Sequence, residues 1–416
     1  MKILLLASYI TILEGKELTK NVTGYGYMVR DIADYVSRTG VEIDVITTSA
    51  ITRGRKFNNF TISKRTWADL LLHVKPAYFG NTIQLIKTYQ PSLRRIVKML
   101  FYNFAVGYVE HILKYGNYDL VNIHGVGFGT IPFINCCERL GIRYVVTLHG
   151  LNSFSDFIQM ESGEKQFEKD FLKLVYNCGI PLTVISTGIL NVIKDYLNVD
   201  GDIEHFYVVT NGTDVIEKKW NKLDIRQKYG ITRDKRIMLC VGNLGRRKNQ
   251  LQIVRAYGLL SEEMKKRLCI LFLGKDASDG EIEAAICDSG FGKSLILCGN
   301  INRNEIAAFY GQSDYTILAS ISEGFGLSII EGFVYGLPNL TFADLDAIED
   351  LFDEKAMLTV ANRSDESLAA GISEMLSRDW DKDYIKQYAK SFSLERMGQE
   401  YIEVFQEVIS KKMKRA

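Results

Sequence analysis

The chain has 416 residues, of which 47% are hydrophobic and 24% charged, and its formal net charge is +1. This length exceeds one ordinary core and favours two domains, while the composition is that of a globular protein rather than a disordered or fibrous one. No stretch reaches the roughly 18 uninterrupted apolar residues of a membrane span. Seven cysteines without a C-x-x-C pair lead us to expect a cytoplasmic protein.

The N-terminal half alternates short apolar runs with stretches of helical periodicity. A strand at Lys2–Ser8, a helix at Tyr25–Arg38 and a strand at Glu42–Thr48 predict one right-handed crossover unit. Later segments predict strands at Leu120–His124, Arg143–His149, Leu182–Ser186 and Phe206–Thr210, and helices at Thr130–Leu140 and Leu190–Leu197. Such alternation is typical of a parallel sheet covered by helices.

The start of the chain allows more than one interpretation. Met1–Ser8 resembles the start of a signal peptide, but no small-residue cleavage site follows and Tyr9–Lys20 is typical of a polar loop, so we predict a buried first strand. Gly24 and Gly26 open the first helix, where the lack of side chains would let the backbone approach a ligand. A tight turn explains both glycines as well, and we take Gly24 as a candidate binding residue.

Residues 52–115 are strongly basic. They carry eleven Lys and Arg against two acids, Asp69 and Glu110, a net charge of +9, and aromatic residues such as Trp67 are interleaved with the cations. This pattern is typical of a surface that lies against anionic lipid, where each cation contributes about 1 kcal/mol. Nucleic acid would select the same pattern, although we expect none. A core helix at Leu93–Leu113 with a solvated basic face is the third interpretation.

The second half repeats the alternation with stricter spacing. Strands are predicted near Arg236, Leu268, Ser294, Asp314, Asn339 and Ala356, with helices between them, which predicts a second Rossmann-like sheet. The polar stretch between Asn211 and Thr232 interrupts the apolar pattern and marks a boundary. We place the two domains at 1–212 and 213–385, and after Trp380 we predict helix to the end of the chain.

A cationic loop follows the first strand of the second half. Residues 241–249 read Val-Gly-Asn-Leu-Gly-Arg-Arg-Lys-Asn and lie between the strand Arg236–Cys240 and a predicted helix at Gln250–Leu260. Three consecutive cations at the end of a parallel strand repel one another unless an anion offsets them. A diphosphate would do so, and surface solvation explains each cation taken singly.

The stretch Glu323–Glu331 places two carboxylates eight residues apart around a glycine-rich bend. It follows Asp314–Ser320, a short apolar run typical of a buried strand, and leads into a helix. Helix starts favour phosphate, and parallel sheets bind ligands at the carboxyl ends of their strands. Ser328 and Glu331 also fit a capping box, in which both side chains satisfy N–H groups of the helix start.

Together these segments resemble the retaining nucleotide-sugar transferases of glycosyltransferase family 4, an α/β architecture of two facing Rossmann-like domains called GT-B. The resemblance covers nearly the whole chain and rests on four segments: Gly242–Lys248, Glu323–Glu331 with Gly336-Leu-Pro338, Asn211–Asp214 and Thr147–Gly150. It implies that residues 386–416 form a helix crossing back to the first domain. The family usually has Arg directly after the glycine matching Gly242, whereas this chain has Asn243, so Arg246 or Arg247 would substitute.

We assign the diphosphate of a nucleotide-sugar donor to Lys248 and Arg247. Negative charge builds on the departing oxygen as the anomeric C–O bond breaks, and fixed cations and N–H groups stabilise that charge. The backbone of the bend, at Phe325, Gly326 and Leu327, would assist. No cofactor beyond the donor substrate is expected.

The resemblance assigns further roles. The carboxylate of Glu331 would bind the ribose hydroxyls and that of Glu323 would lie near the donor sugar, since an ionised carboxylate only accepts hydrogen bonds. His149 would approach the donor sugar from the first domain, although a lone histidine is more often structural. We therefore take Glu323, His149 and Lys248 as the candidate catalytic residues.

No metal is expected, because the cations of the protein take the electrostatic part that a metal would play. Three D-x-D strings have the spacing for a cation, and we expect each to lie in a turn or helix away from the proposed site: Asp200-Gly-Asp202, Asp344-Leu-Asp346 and Asp381-Lys-Asp383.

The resemblance implies the function of a retaining hexosyltransferase, for which we favour a route in which the leaving phosphate assists the incoming hydroxyl of a glycan or lipid-linked acceptor. Bacterial surface polysaccharide synthesis at the inner face of the cell membrane is the expected setting. A nucleotide-sugar 2-epimerase of the same architecture and a non-catalytic basic membrane adaptor are the alternatives. A nicotinamide dehydrogenase is disfavoured because no G-x-G-x-x-G follows the first strand.

Overall fold

The computed structural model describes residues 1–12, 23–48, 52, 54–57, 59–155, 160–215, 223–302 and 305–411. Most of the polar loop predicted at Tyr9–Lys20 lies outside the described residues. Contacts divide the chain into two compact units, residues 1–211 with 394–416 and residues 212–393. Among the described helices, none combines the length and the apolar character needed to span a bilayer.

Strands and helices alternate along both units. In the described ranges the strands are β1 Lys2–Ala7, β2 Glu42–Thr47, β3 Arg55–Lys56, β4 Phe60–Ile62, β5 Leu120–His124, β6 Arg143–Leu148, β7 Leu182–Val184, β8 Phe206–Val208, β9 Arg236–Val241, β10 Leu268–Leu273, β11 Leu295–Gly299, β12 Tyr315–Leu318, β13 Asn339–Phe342 and β14 Met357–Val360. The α-helices are α1 Gly24–Ser37, α2 Trp67–Leu72, α3 Ala77–Tyr89, α4 Leu93–Gly116, α5 Thr130–Leu140, α6 Ser162–Cys178, α7 Thr187–Leu197, α8 Ile225–Tyr229, α9 Gln250–Gly258, α10 Glu262–Arg267, α11 Glu281–Ser289, α12 Ile306–Gly311, α13 Leu327–Val334, α14 Ile348–Leu351, α15 Asp365–Ser377, α16 Lys382–Ala389 and α17 Leu394–Ser410. Lys390–Phe392 form a short 3-10 turn.

The first unit is built on an eight-stranded sheet of order β3-β4-β2-β1-β5-β6-β7-β8. Its pairings are parallel except that of β3 with β4. The side chains of β1 from Ile3 to Ala7 are all buried, as expected for a strand covered by helices on both faces. The strand order reverses between β1 and β5, and parallel sheets bind ligands at the carboxyl ends of strands at such a switch point.

The second unit has a six-stranded sheet of order β11-β10-β9-β12-β13-β14, and its strand pairings are parallel. Its interior strand β10 is buried along its whole length. The order reverses between β9 and β12, so the loops that follow these two strands meet at one edge of the sheet.

The predicted fold class, two parallel-sheet α/β domains, is confirmed. Each predicted strand is present and starts within one residue of its predicted position. The short strands β3 and β4 and the helices α2, α3 and α6 were not predicted. In the basic segment, α4 is exposed over much of its first ten residues and largely buried from Asn103 to Glu110, so it is a core helix in only one of its halves.

The C-terminal tail is divided between the two units. Residues 382–392 stay in the second unit, where the Tyr388 ring lies 5.8 Å from that of Phe333 and 5.3 Å from that of Phe392. Helix α17 belongs to the first unit and packs against α1 and β6. The sequence places the start of this helical segment at 386, and the structure begins it at Leu394, because the aromatic contacts hold the preceding residues in the second unit.

Close packing of α17 on α1 predicts a cost for enlarging Gly398. A Cβ there would lie 3.0 Å from the Cβ of Tyr35, so Gly398→Leu should lower the free energy of unfolding by about 1–3 kcal/mol. Urea unfolding followed by circular dichroism measures the change. Gly80→Leu in helix α3 is the matched control, because nothing lies within 4 Å of its Cβ position and helix propensity improves. Equal stability of the two variants would contradict the packing.

Candidate active site

Two loops meet at the switch point of the second sheet. Residues 242–249 follow β9, residues 319–326 follow β12, and these two strands pair in the sheet. The loops are also joined directly, since the Ile321 N–H donates to the Arg247 carbonyl at 2.9 Å. The structure therefore brings together the two segments in which the sequence places the diphosphate site.

Glu323 lies between two cations of the first loop. Its Oε1 is 2.5 Å from Lys248 Nζ and its Oε2 is 3.2 Å from Arg247 Nη1, which also donates to the Ser322 carbonyl at 2.8 Å. The carboxylate side chain is only 8% exposed. Arg246, the other candidate to replace the family arginine, is exposed. Three predicted site residues thus form one cluster of net charge +1.

The charge on Glu323 is set by this pairing. Burial alone would raise its pKa, but the charges of Lys248 and Arg247, with the Lys248 hydrogen bond, outweigh burial and lower the pKa below its ordinary value. Glu323 is therefore ionised at neutral pH. A buried carboxylate of this kind is stable only while its cations stay in place.

Glycines give the first loop its close packing. Gly242 has a φ of 147°, and a Cβ on it would lie 3.0 Å from Cε of Lys248, whose side chain therefore passes directly over this residue. A Cβ on Gly274, after β10, would lie 2.1 Å from the Gly242 carbonyl oxygen. Side chains at either position would displace Lys248 or the loop that carries it.

The bend between Glu323 and Glu331 leads into helix α13. Its cap residue Gly326 has a φ of 85°, in the left-handed region that favours glycine, and no described side chain caps the helix. The capping-box interpretation of Ser328 and Glu331 is therefore wrong. Glu331 instead accepts a hydrogen bond from the Tyr310 hydroxyl at 2.8 Å. Leu327 is the first residue of the helix.

Phe325 does not offer its side chain to a ligand. The ring is 3% exposed and lies 6.3 Å from the Phe392 ring. Packing of this kind fixes the bend in the core of the second unit and leaves the backbone of Phe325 as the part that a ligand would meet.

One D-x-D string lies at the site rather than away from it. Asp344 follows β13, which pairs with β12, and it accepts a hydrogen bond at 2.7 Å from Arg363 Nε. Arg363 also donates to the Ser320 carbonyl at 2.9 Å. Burial first, and then the charges of Asp344 and Glu323, raise the pKa of Asp346 against the opposing effect of Arg363. The expectation that this string lies away from the proposed site was wrong, because β13 ends at the same edge of the sheet as β12.

The other D-x-D strings have structural partners. Asp381 caps α16 by accepting from the N–H groups of Asp383 and Tyr384, and Asp202 lies 3.6 Å from Lys194 Nζ. Within the part of the chain that the structure describes, no group of three or more His, Cys, Asp or Glu side chains is arranged to hold a metal ion.

In the first unit, two histidines end neighbouring strands. His124 is the last residue of β5 and His149 directly follows β6, and Nδ1 of His124 lies 2.9 Å from Nε2 of His149. The Tyr25 ring packs edge-on against His149 at a centroid distance of 4.9 Å. Its hydroxyl donates to the His124 carbonyl at 3.2 Å and accepts from the Ser8 N–H at 3.0 Å. The pair is thus held rigidly by the first helix.

Both histidines are neutral at physiological pH. Burial lowers the pKa of His149 to about 4. Burial, followed by the proximity of His149, lowers the pKa of His124 well below its ordinary value. Because one nitrogen of each ring faces the other, the pair shares a single N–H in this contact, and the tautomer of one ring fixes that of its neighbour.

A cavity of about 320 Å³ lies beside the pair, within the first unit. Its wall includes Tyr25, His124 and the residues 125–130 that follow β5, together with side chains of α4. The predicted binding residue Gly24 is exposed at the start of α1, and the wall does not include it. Gly26 is required for packing, since a Cβ there would lie 2.1 Å from Thr11 Oγ1.

Comparison with known proteins shows that both halves of the chain are similar to glycosyltransferases. Residues 22–217 match the family described as Glycosyltransferase Family 4, and residues 221–392 match the family described as Glycosyl transferases group 1. An uncharacterized glycosyltransferase of Methanocaldococcus jannaschii is 25% identical over 197 residues, 46% of this chain and 50% of that protein.

Two bacterial relatives match over longer stretches. A D-inositol 3-phosphate glycosyltransferase of Arthrobacter sp. is 22% identical over 326 residues, 76% of this chain and 72% of that protein. An N-acetylgalactosamine-N,N'-diacetylbacillosaminyl-diphospho-undecaprenol 4-alpha-N-acetylgalactosaminyltransferase of Campylobacter jejuni is 23% identical over 304 residues, 72% of this chain and 75% of that protein. The chain thus has relatives in bacterial glycan synthesis.

Solved structures share the fold from end to end. Sucrose-phosphate synthase from Thermosynechococcus elongatus has a TM-score of 0.74 at 16% identity, with 99% of this chain and 100% of that chain covered. HepE of Anabaena, in complex with UDP and glucose, has a TM-score of 0.65 at 15% identity, with 98% and 100% covered. With two family matches that follow its two halves and a fold common to these transferases, the chain belongs to the GT-B glycosyltransferases of the family 4 type.

Proposed function

We propose that the protein transfers a sugar from a nucleotide-sugar to a glycan or lipid-linked acceptor, with retention of the anomeric configuration and without a metal. The observation that carries this proposal is the cluster of Glu323, Lys248 and Arg247 at the switch point of the second sheet. Two cations fixed by a buried carboxylate suit a diphosphate leaving group with a sugar attached to it.

In the proposed reaction, the bond between the anomeric carbon and the diphosphate oxygen breaks, and negative charge develops on that oxygen. We expect Lys248 and Arg247 to stabilise it, together with the N–H groups at the start of α13. The acceptor hydroxyl forms the new bond on the same face of the sugar. Its proton passes to the leaving phosphate, which departs as the nucleoside diphosphate.

Glu331 and His149 are proposed to orient the donor. The Tyr310 hydroxyl donates to one oxygen of Glu331 at 2.8 Å, and a carboxylate oriented in this way suits the paired hydroxyls of a ribose. His149, neutral and tied to His124, suits a hydroxyl of the donor sugar as a hydrogen-bond partner rather than as a charged group.

A lipid-linked acceptor is proposed from the relatives, since the Campylobacter protein carries diphospho-undecaprenol in its name. The proposed setting is bacterial surface polysaccharide synthesis, on the cytoplasmic side of the cell membrane.

The proposed function is tested by donor binding followed by product analysis. One class among UDP-, GDP- and ADP-sugars should raise the unfolding temperature, because a ligand at 100 times its Kd stabilises the fold by about 2.7 kcal/mol. With a polyprenyl-diphosphate saccharide as acceptor, NMR should show a product that keeps the donor's anomeric configuration. An inverted product would exclude the route, and conversion of the donor sugar without acceptor would assign the protein to the epimerases.

Removal of the Lys248 side chain should lower turnover strongly. Lys248→Ala should lower kcat by about 10²- to 10³-fold, since it removes a fixed cation from the leaving group. The exposed Lys293→Ala, on the same unit, is the matched control and should leave kcat unchanged. Glu331→Gln provides the contrast, because it should mainly raise the Kd of the donor in calorimetry. Wild-type turnover of Lys248→Ala would refute the assignment.

The neutral histidine pair predicts an acid-dependent loss of stability. Because the folded-state pKa of His149 lies near 4, the unfolded chain binds a proton that the folded chain does not bind as the pH falls from 6.5 towards 4. The free energy of unfolding should therefore decrease through this window, and His149→Asn should make the decrease shallower. Urea unfolding at pH 7 and pH 5 measures this. The exposed His111→Asn is the control, and an unchanged slope in His149→Asn would contradict the assignment.

A further inference from the structure

We propose that the outer face of helices α2 and α4 docks on the surface of an anionic lipid bilayer. Five large apolar side chains of these helices are exposed. On α2, Trp67, Leu71 and Leu72 are 59%, 63% and 77% exposed, and on α4, Leu93 and Val97 are 77% and 62% exposed. These five residues are called the docking face.

The docking face is continuous. Leu93 and Val97 are four residues apart, so they lie on the same side of α4, and Phe101 follows one turn later. The Phe101 ring meets the Trp67 ring edge-on at a centroid distance of 5.4 Å, which joins the two helices. Leu71 lies one turn beyond Trp67. A contiguous exposed apolar patch of this kind marks an interaction site rather than ordinary surface.

Cations outnumber acids beside the face, where the acids are Asp69 on α2 and the partners of Arg95, Glu161 and Glu164. Between Asp69 and Glu110 the sequence contains no Asp or Glu. Arg94 and Lys98 lie on α4 between the apolar residues, and both are exposed. Lys64, just before α2, is exposed as well. Apolar side chains surrounded by cations match the negative headgroups and acyl boundary of an anionic membrane, where each nearby Lys or Arg strengthens binding.

The start of α4 is electrostatically unfavourable in isolation. Arg94 and Arg95 occupy its first turn, which has no acidic residue, although the positive end of the helix dipole disfavours cations there. Two acids from outside the helix compensate Arg95, since its Nη2 lies 2.9 Å from Glu164 and its Nε 3.8 Å from Glu161. Arg94 and Lys98 face solvent, and an anionic surface would offset their charge.

The face is rigid and leads to the cavity of the first unit. The C-terminal half of α4 is buried, including Ala105, Val106 and Val109, so the exposed half extends from a fixed core. A second cavity of about 450 Å³ runs along the exposed half and shares Arg95, Lys98 and Tyr102 with the cavity beside His124. A lipid-linked acceptor would reach His124 along this route, a step that rests on the proposed function, whereas bilayer binding itself does not.

The test is sedimentation of the full chain with phosphatidylcholine vesicles, with and without phosphatidylglycerol. We expect binding to the anionic vesicles, and a loss of about 30-fold in affinity for Arg94→Gln combined with Lys98→Gln. Leu72→Ser combined with Val97→Ser should lose about tenfold or more. Because all four side chains are exposed, the variants should keep the unfolding temperature of the wild type.

Matched controls lie on the second unit. Leu259→Ser with Phe352→Ser removes two apolar side chains that are 55% and 49% exposed, and Lys266→Gln with Lys293→Gln removes two exposed charges. Both control variants should bind anionic vesicles as the wild type does. Equal affinity for uncharged and anionic vesicles, or equal losses in the controls, would overturn the proposal. A dimer or an oligonucleotide complex lost in Leu72→Ser with Val97→Ser, without vesicle binding, would assign the face to that partner instead.

These results are independent of sugar transfer, because vesicle binding needs neither donor nor acceptor. Failure of donor binding with intact vesicle binding would refute the proposed function alone. Donor binding that persists while vesicle binding is absent would refute the docking face alone.

Discussion

One buried ion cluster joins the two loops at the carboxyl edge of β9 and β12 in the second sheet. The two oxygens of Glu323 face Lys248 and Arg247, and the loops that carry them are joined by the hydrogen bond between Ile321 and Arg247. A carboxylate with so little exposure is stable only when paired, and removing one partner of a buried pair costs about 3–5 kcal/mol. The conformation of each loop therefore depends on a side chain from its neighbour.

The same cluster constrains how a diphosphate would bind. Lys248 and Arg247 already have an anionic partner, so the proposed donor would have to share them with Glu323 or displace it. Displacement would free the Glu323 carboxylate to accept hydrogen bonds from sugar hydroxyls. The hydrogen bonds from Arg363 to the carbonyls of residues 320–321 do not involve Glu323 and would be kept in this exchange. The proposed exchange thus links recognition of the phosphates to recognition of the sugar.

The strands were predictable because each is a short buried run between turn signals, and their starts followed directly from the pattern. The order of strands in a sheet is harder to predict from the sequence, since β12 lies beside β9 although two strands intervene in the chain. The family resemblance indicated that the Lys248 and Glu323 loops lie together, but no feature of the sequence indicated that Asp346 lies near them. The sequence does contain a signal for the His124–His149 contact, since a His-Gly pair lies at the carboxyl end of both neighbouring parallel strands.

The amphipathic pattern of the basic segment left three interpretations open, and the structure of helix α4 shows why. From residue 103 onward it follows the rules of a core helix, with Ala105, Val106 and Val109 buried. Its first two turns break those rules, with Leu93 and Val97 exposed and cations at the positive end of the dipole. Local conflicts of this kind persist where a function offsets their cost. An anionic, partly apolar surface resolves both conflicts at once, because it neutralises the cations and removes the apolar side chains from water.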